Sequence, residues 1–117
     1  MTTSSPVADL TGSDFRIRAF GDLVASIPAG TDRVLLGEDQ MDPAFFDLSS
    51  GVAGDLVQKC VNYRIRVALV APDLSRRSER FREFARESLR GRAFVVVPSR
   101  EEALARLGAT PAAPAGT

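Results

Sequence analysis

Short apolar runs alternate along the chain with stretches whose apolar residues recur at helical spacing. Ile65-Arg66-Val67-Ala68-Leu69-Val70 is the strongest strand signal and has the character of a central strand. Ala93-Phe94-Val95-Val96-Val97 reads as the last strand. Arg33-Val34-Leu35-Leu36, stopped at Gly37, reads as a buried one. Phe15-Arg16-Ile17-Arg18-Ala19-Phe20 alternates apolar and polar residues, which predicts a strand with one wet face at or near a sheet edge.

The helical stretches carry their own start and stop signals. Asp22 to Ile27 predicts a short helix ended by Pro28-Ala29-Gly30. Asp42-Pro43 opens a short turn through Asp47, with Phe45 and Phe46 as a core plug. Ser50 is the expected N-cap of a helix from Gly51 to Tyr63. Val52, Ala53, Leu56, Val57, Cys60 and Val61 cover about half of its circumference. In Ser78 to Arg90, Phe81, Phe84, Ala85 and Leu89 form one stripe, and Gly91 supplies the stop. Arg100 to Leu107 predicts the final helix.

Each strand is followed by a helix. The expectation is a single α/β domain with about four mostly parallel strands, four to five helices and right-handed crossovers. The pattern leaves open whether the helices cover one face or both. Met1 to Gly12 and Ala109 to Thr117 lack apolar periodicity and are expected to be disordered tails, which places the domain at residues 13–108. No internal repeat stands out.

Composition narrows the chemistry. The 117 residues fit one domain. With no His and one Cys, a Ser-His-Asp triad, a Cys-His dyad and a Cys/His zinc site cannot be built from this chain. Fifteen basic and fifteen acidic residues cancel, so there is no general attraction to DNA, RNA or an anionic membrane. The halves differ in sign, acidic up to Tyr63 and basic after it, which is most simply attraction within one fold. The preference for Arg over Lys and the abundance of Ala fit a GC-rich, bacterial genome. The apolar runs are too short to span a membrane, Met1–Asp9 lacks the pattern of a signal peptide, and Cys60 is unpaired. A cytoplasmic location is expected.

Two stretches hold candidate chemistry. Glu38, Asp39 and Asp42 follow the second strand, and Asp73, Ser75 and Arg77 follow the third. Together they could form a ligand rim at the strand ends. No spacing among them is a metal motif, so no metal or cofactor is implied, and solvated loop carboxylates are the plain explanation. The second stretch is Asp47-Leu48-Ser49-Ser50-Gly51, where hydroxyls stand at the start of an apolar helix, a position that favours a phosphate. A simple N-cap explains Ser50 equally well. In the Arg-rich helix, rows of Glu79, Glu83, Glu87 and of Arg82, Arg86, Arg90 read as a solvated face laced with weak ion pairs. Cys60, on an apolar stripe, reads as a buried inert thiol.

The order of elements, with FFDLSSGVAGDLVQKCVNYRIRVALV and then FVVVPSREEALARL, resembles the STAS domain of bacterial anti-sigma-factor antagonists. Two features differ: Leu48 stands where that family has Asp, and the segment from Glu38 to Leu48 is longer. The resemblance implies a non-enzymatic regulatory or protein-interaction module. Ser50 takes the phosphorylatable position, with Ser49, Gly51 and Asp47 beside it, and the partner is a protein. The same core, over about residues 13–107, is similar to a bacterial family known only as a domain of unknown function. That likeness implies an α/β fold and no particular activity. The alternative from another class is a small enzyme or ligand-binding domain using Glu38, Asp39, Asp73, Ser75 and Arg77.

Overall fold

The computed structural model describes residues 7–108 apart from 13, 15 and 29. In chain order the elements are β1 (Val7–Asp9), α1 (Phe20–Ser26), β2 (Arg33–Gly37), α2 (Pro43–Phe46), α3 (Val52–Tyr63), β3 (Arg66–Val70), α4 (Glu79–Ser88), β4 (Phe94–Val97) and α5 (Arg100–Arg106). Single 3-10 turns cover Glu38–Gln40, Leu48–Ser50 and Leu74–Arg76. The described residues form one α/β domain with four parallel strands and five helices.

The strands lie in the order β1-β2-β3-β4. Each new strand is added on the same side of the last. Right-handed crossovers therefore place α1, the α2–α3 pair and α4 on one face. On that face Val34, Leu36, Val67, Leu69, Phe94 and Val96 pack against Leu23, Phe45, Leu56, Cys60 and Phe81. After β4 the chain changes face, and α5 lays Ala103 and Leu107 on Leu35, Ala68, Val95 and Val97. Phe45 is the hub of the larger core, edge-on to Phe46 at 5.2 Å and to Phe81 at 5.7 Å. This fits the plug expected from the Asp42-Pro43 segment.

Arg33 and Arg66 stand opposite each other in register at the starts of β2 and β3. Their guanidinium groups donate to the carbonyls of Leu107 at 2.7 Å and Arg106 at 3.0 Å, where α5 ends. Cations placed there complement the negative end of the helix. At the far edge, the Ser88 hydroxyl accepts from the Val96 N–H at 3.0 Å, which occupies an outward donor of edge strand β4.

The first strand corrects the sequence reading. Val7–Asp9 pairs with Arg33–Leu35, so residues 7–12 are part of the domain and not of a disordered tail. The expected strand at residues 15–20 reduces to an isolated bridge between Ile17 and Met41, and α1 begins at Phe20. The alternation around Ile17 is real, since Ile17 is fully buried between exposed Arg16 and Arg18. The ladder is cut short because the Asp22 carboxylate accepts from the Arg18 and Ala19 N–H groups at 3.0 and 3.2 Å and turns the chain into a helix. Val-Ala-Asp is too short a run to announce a strand. Phe15 and the expected tail at residues 109–117 lie outside the described residues.

Cys60 is buried, and burial pushes its thiol up to about 12. Among the described residues no helix is long and apolar enough to cross a membrane.

Candidate functional site

The segment between β2 and α3 is built from local caps. The Asp42 carboxylate accepts from the Ala44 N–H at 2.9 Å, with Pro43 in the first helical position of α2. The Asp47 carboxylate accepts from the Ser49 N–H at 3.1 Å and from the Ser49 hydroxyl at 2.6 Å, which fixes the 3-10 turn. The Ser50 hydroxyl donates to the Ala44 carbonyl at 2.7 Å and accepts from the Val52 N–H at 3.2 Å. Ser50 thus ties α2 to the start of α3.

The N-cap of α3 is Gly51 and not Ser50, a correction of one residue. Gly51 has φ +82°, in the left-handed region that glycine enters without a Cβ penalty. The chain needs that reversal to pass from the 3-10 turn into α3. The Ser50 hydroxyl still serves a free N–H of the helix, from just outside it.

An open cavity of about 660 Å³ runs beside this segment. Pro43, Phe46, Asp47, Leu48 and Ser49 make one wall, and Ser78, Glu79 and Arg80 at the start of α4 make the other. The Ser78 hydroxyl accepts from the Phe81 N–H at 3.1 Å and caps α4. Of the four residues singled out here from sequence, Asp47 and Ser49 line the groove. Ser50 and Gly51 do not, and Ser50 bonds instead to the α2 end of the segment.

The rim at the strand ends is only partly assembled. Glu38 and Arg77 form an ion pair at 2.6 Å, with side chains 17% and 21% exposed. The Arg77 guanidinium lies 3.7 Å over the Phe46 ring, so this pair also supports the groove wall. Asp39 is exposed beside them. Asp73 and Ser75 are not brought to the pair: the Asp73 carboxylate bonds the Ser75 N–H and hydroxyl in a local turn. Those bonds hold its carboxyl below the usual range.

Glu38 and Asp39 line two neighbouring cavities. One, of about 310 Å³, includes Arg16, Met41, Phe46 and Arg77. The other, of about 520 Å³, includes Thr11, Gly37, Gln40, Pro72 and Arg100. Here Arg100 pairs with Asp9 and reaches the Thr11 hydroxyl at 3.3 Å. The Arg100 hydrogen bond is the main cause of a lowered Asp9 carboxyl. Gln40 is 3% exposed. It accepts from the Gly37 N–H at 2.9 Å and donates to the Leu10 carbonyl, closing the end of β1 onto β2.

Asp9, Thr11, Gln40 and Arg100 were not singled out from sequence. A signal for the first two is present in the chain. Asp9-Leu10-Thr11, Asp47-Leu48-Ser49 and Asp73-Leu74-Ser75 share one pattern, Asp-Leu followed by a hydroxyl residue. In each, the Asp side chain accepts from the N–H and the hydroxyl two residues on. The intervening Leu packs on the core. Among the described residues no group of three or more His, Cys, Asp or Glu side chains could hold a metal ion.

The geometry defines a small parallel α/β domain with a groove beside α2 and a cavity at the strand ends. Residues 5–107 match the family described as Domain of unknown function (DUF4180), and the chain belongs to that family. The matched span begins before β1, in agreement with the strand at Val7–Asp9. No curated protein and no solved structure gives a match.

Proposed function

We propose that this protein is a non-enzymatic regulatory module, STAS-like and bacterial, that receives a protein partner in the groove between α2 and α4. The proposed setting is the cytoplasm. The observation that carries the reading is the bond between Ser50 and the Ala44 carbonyl behind the groove wall. The groove combines apolar residues, Pro43, Phe46 and Leu48, with a polar rim, as a peptide seat requires. A phosphate on Ser50 removes the donor that holds Ala44. It also places its charge at the start of twelve-residue α3, where free N–H groups welcome it. The α2 wall then shifts relative to α4, and partner affinity changes with it. The run from β2 through α5 follows the STAS-like order of elements and supports the same reading.

The test compares Ser50→Asp with Ser50→Thr, which keeps the hydroxyl donor to Ala44. The charged variant loses partner binding while keeping its fold, and the hydroxyl-bearing variant keeps binding. Equal binding by both, with both folded, refutes the switch.

A second reading has its own support. The loops after β1, β2 and β3 lead to helices on one face, and the loop after β4 leads to the other. A crevice outside strand carboxyl ends is where open parallel α/β sheets hold ligands. The 520 Å³ cavity with Glu38, Asp39, Thr11 and Arg100 opens at these ends. A small ligand there, at a hundredfold its Kd, adds ~2.7 kcal/mol of stability, which a thermal-shift screen detects. Arg100→Ala abolishes that shift and leaves the groove untouched.

A further inference from the structure

Charge in this molecule is sorted by pole. The strands all run one way and the helices return against them, so helix C-termini gather where β2, β3 and β4 begin. Arg33, Arg64, Arg66, Arg90, Arg92 and Arg106 lie at that end, with Asp32 and Glu87 the acids near them. The strand-exit end carries Asp9, Glu38, Asp39, Asp42, Asp47 and Glu101. Its Arg77 and Arg100 are engaged by Glu38 and Asp9, its Arg16 lines the 310 Å³ cavity with Glu38 and Asp39, and its Arg76 and Arg80 sit on the α4 side. Helix dipoles account for the sorting, since acids suit helix starts and cations suit helix ends.

The dipoles do not use all of these charges. Arg33, Arg66 and Arg106 donate to the carbonyls of Leu107, Arg106 and Leu89. Arg64, Arg90 and Arg92 are exposed. Among the described residues Arg90 pairs only with Glu87, at 3.7 Å, with side chains 81% and 68% exposed, and Arg64 and Arg92 form no ion pair. At the other pole Asp39 and Glu101 are exposed and also form no ion pair among the described residues. Residues 1–6 and 109–117 contain no charged side chain. The chain's net charge is zero, so no overall repulsion opposes contact between copies.

We infer that the protein associates with itself head to tail, with Arg64, Arg90 and Arg92 of one copy meeting Asp39 and Glu101 of the next. The occupant of the basic pole is a second copy, because the complementary surface is on this same chain. A contact that joins two different surfaces leaves each end of a pair open. The species formed is a concentration-dependent series and not a closed dimer. Exposed charges carry the contact, so it is sensitive to salt. The groove beside α2 takes no part, and the inference stands apart from the partner proposal.

Sedimentation equilibrium of the full chain tests this. In about 10 mM salt, where the screening length is roughly 30 Å, the average mass rises with concentration to at least twice the 12.6 kDa of one chain. In about 0.5 M salt it returns to that of one chain. The pair Arg90→Glu and Arg92→Glu removes the low-salt rise, and so does Asp39→Arg with Glu101→Arg. A control, Lys59→Glu with Arg86→Glu, changes net charge as much as the first pair at positions within α3 and α4, away from both poles, and it keeps most of the rise. A single-chain mass for the natural protein at every concentration in low salt overturns the inference. So does loss of association in the control equal to that in the polar pair. Circular dichroism melts of each variant confirm that the fold is retained before the masses are compared.

Discussion

Ser50 donates its hydroxyl proton to the Ala44 carbonyl across 2.7 Å, and this one bond fastens a four-residue helix to the start of the longest helix in the domain. The same oxygen accepts from the Val52 N–H. Removing it leaves one acceptor and one donor without their partner. Ser50→Ala is expected to cost ~1 kcal/mol, as loss of a helix-start hydroxyl does. At this domain size that lowers Tm by roughly 4–8 °C, which a thermal melt resolves. An unchanged Tm means that solvent replaces both bonds without loss.

Two left-handed residues bracket α3 and predict shifts of opposite sign. Gly51, at φ +82°, has open space around its missing Cβ, so Gly51→Ala is strained by backbone alone and costs ~1 kcal/mol. Arg64 occupies the same region, at φ 58°, as the C-cap of α3. Arg64→Gly relieves that strain and stabilises by ~0.5–1 kcal/mol. Urea midpoints that move the same way for both variants contradict this.

In α4 the inward and outward faces separate cleanly. Phe81 is fully buried and touches the rings of Phe45, Phe46 and Phe84. Phe81→Ala is expected to cost ~3–5 kcal/mol. Arg86 is exposed, and Arg86→Ala should cost under ~0.5 kcal/mol. Phe84, only partly buried, falls between them. Chemical denaturation of the three variants checks the order.

The helices and three of the four strands were legible because their patterns are long enough to show a period. Phe81 and Ala85 mark the inner stripe of α4, and Val67 to Leu69 the centre of the sheet. β1 was not legible, because three residues carry no period and their partners lie in β2. The site was legible in part for a related reason. Asp47 and Ser49 announce a helix start within five residues of sequence. The contact of Glu38 with Arg77 spans 39 positions, and that of Asp9 with Arg100 spans 91. No local rule joins residues so far apart; only the parallel sheet, which brings all strand exits to one edge, does so.

Acid should weaken the strand-exit end first. The hydrogen bond from Arg100 holds the Asp9 carboxyl below its ordinary value. A carboxyl lowered by folding stabilises the fold above its unfolded value, and that contribution is lost as pH falls through the folded one. Stability therefore declines below about pH 4. In Asp9→Asn the decline is shallower, and stability at neutral pH is reduced. Parallel pH profiles of urea midpoints for the two proteins test this. Identical slopes show that the Asp9–Arg100 pair has no part in it.

The groove beside α2 is proposed to seat a protein partner under the control of Ser50. The most direct measurement is quantitative capture from the source cells with four baits in parallel: the natural chain, Ser50→Asp, Ser49→Arg and Arg86→Ala, each shown to be folded by its melt. One stoichiometric partner is expected to be retained by the natural chain and by Arg86→Ala, and depleted at least tenfold with Ser50→Asp and with Ser49→Arg on the groove wall. The same partner recovered equally on all four folded baits contradicts it.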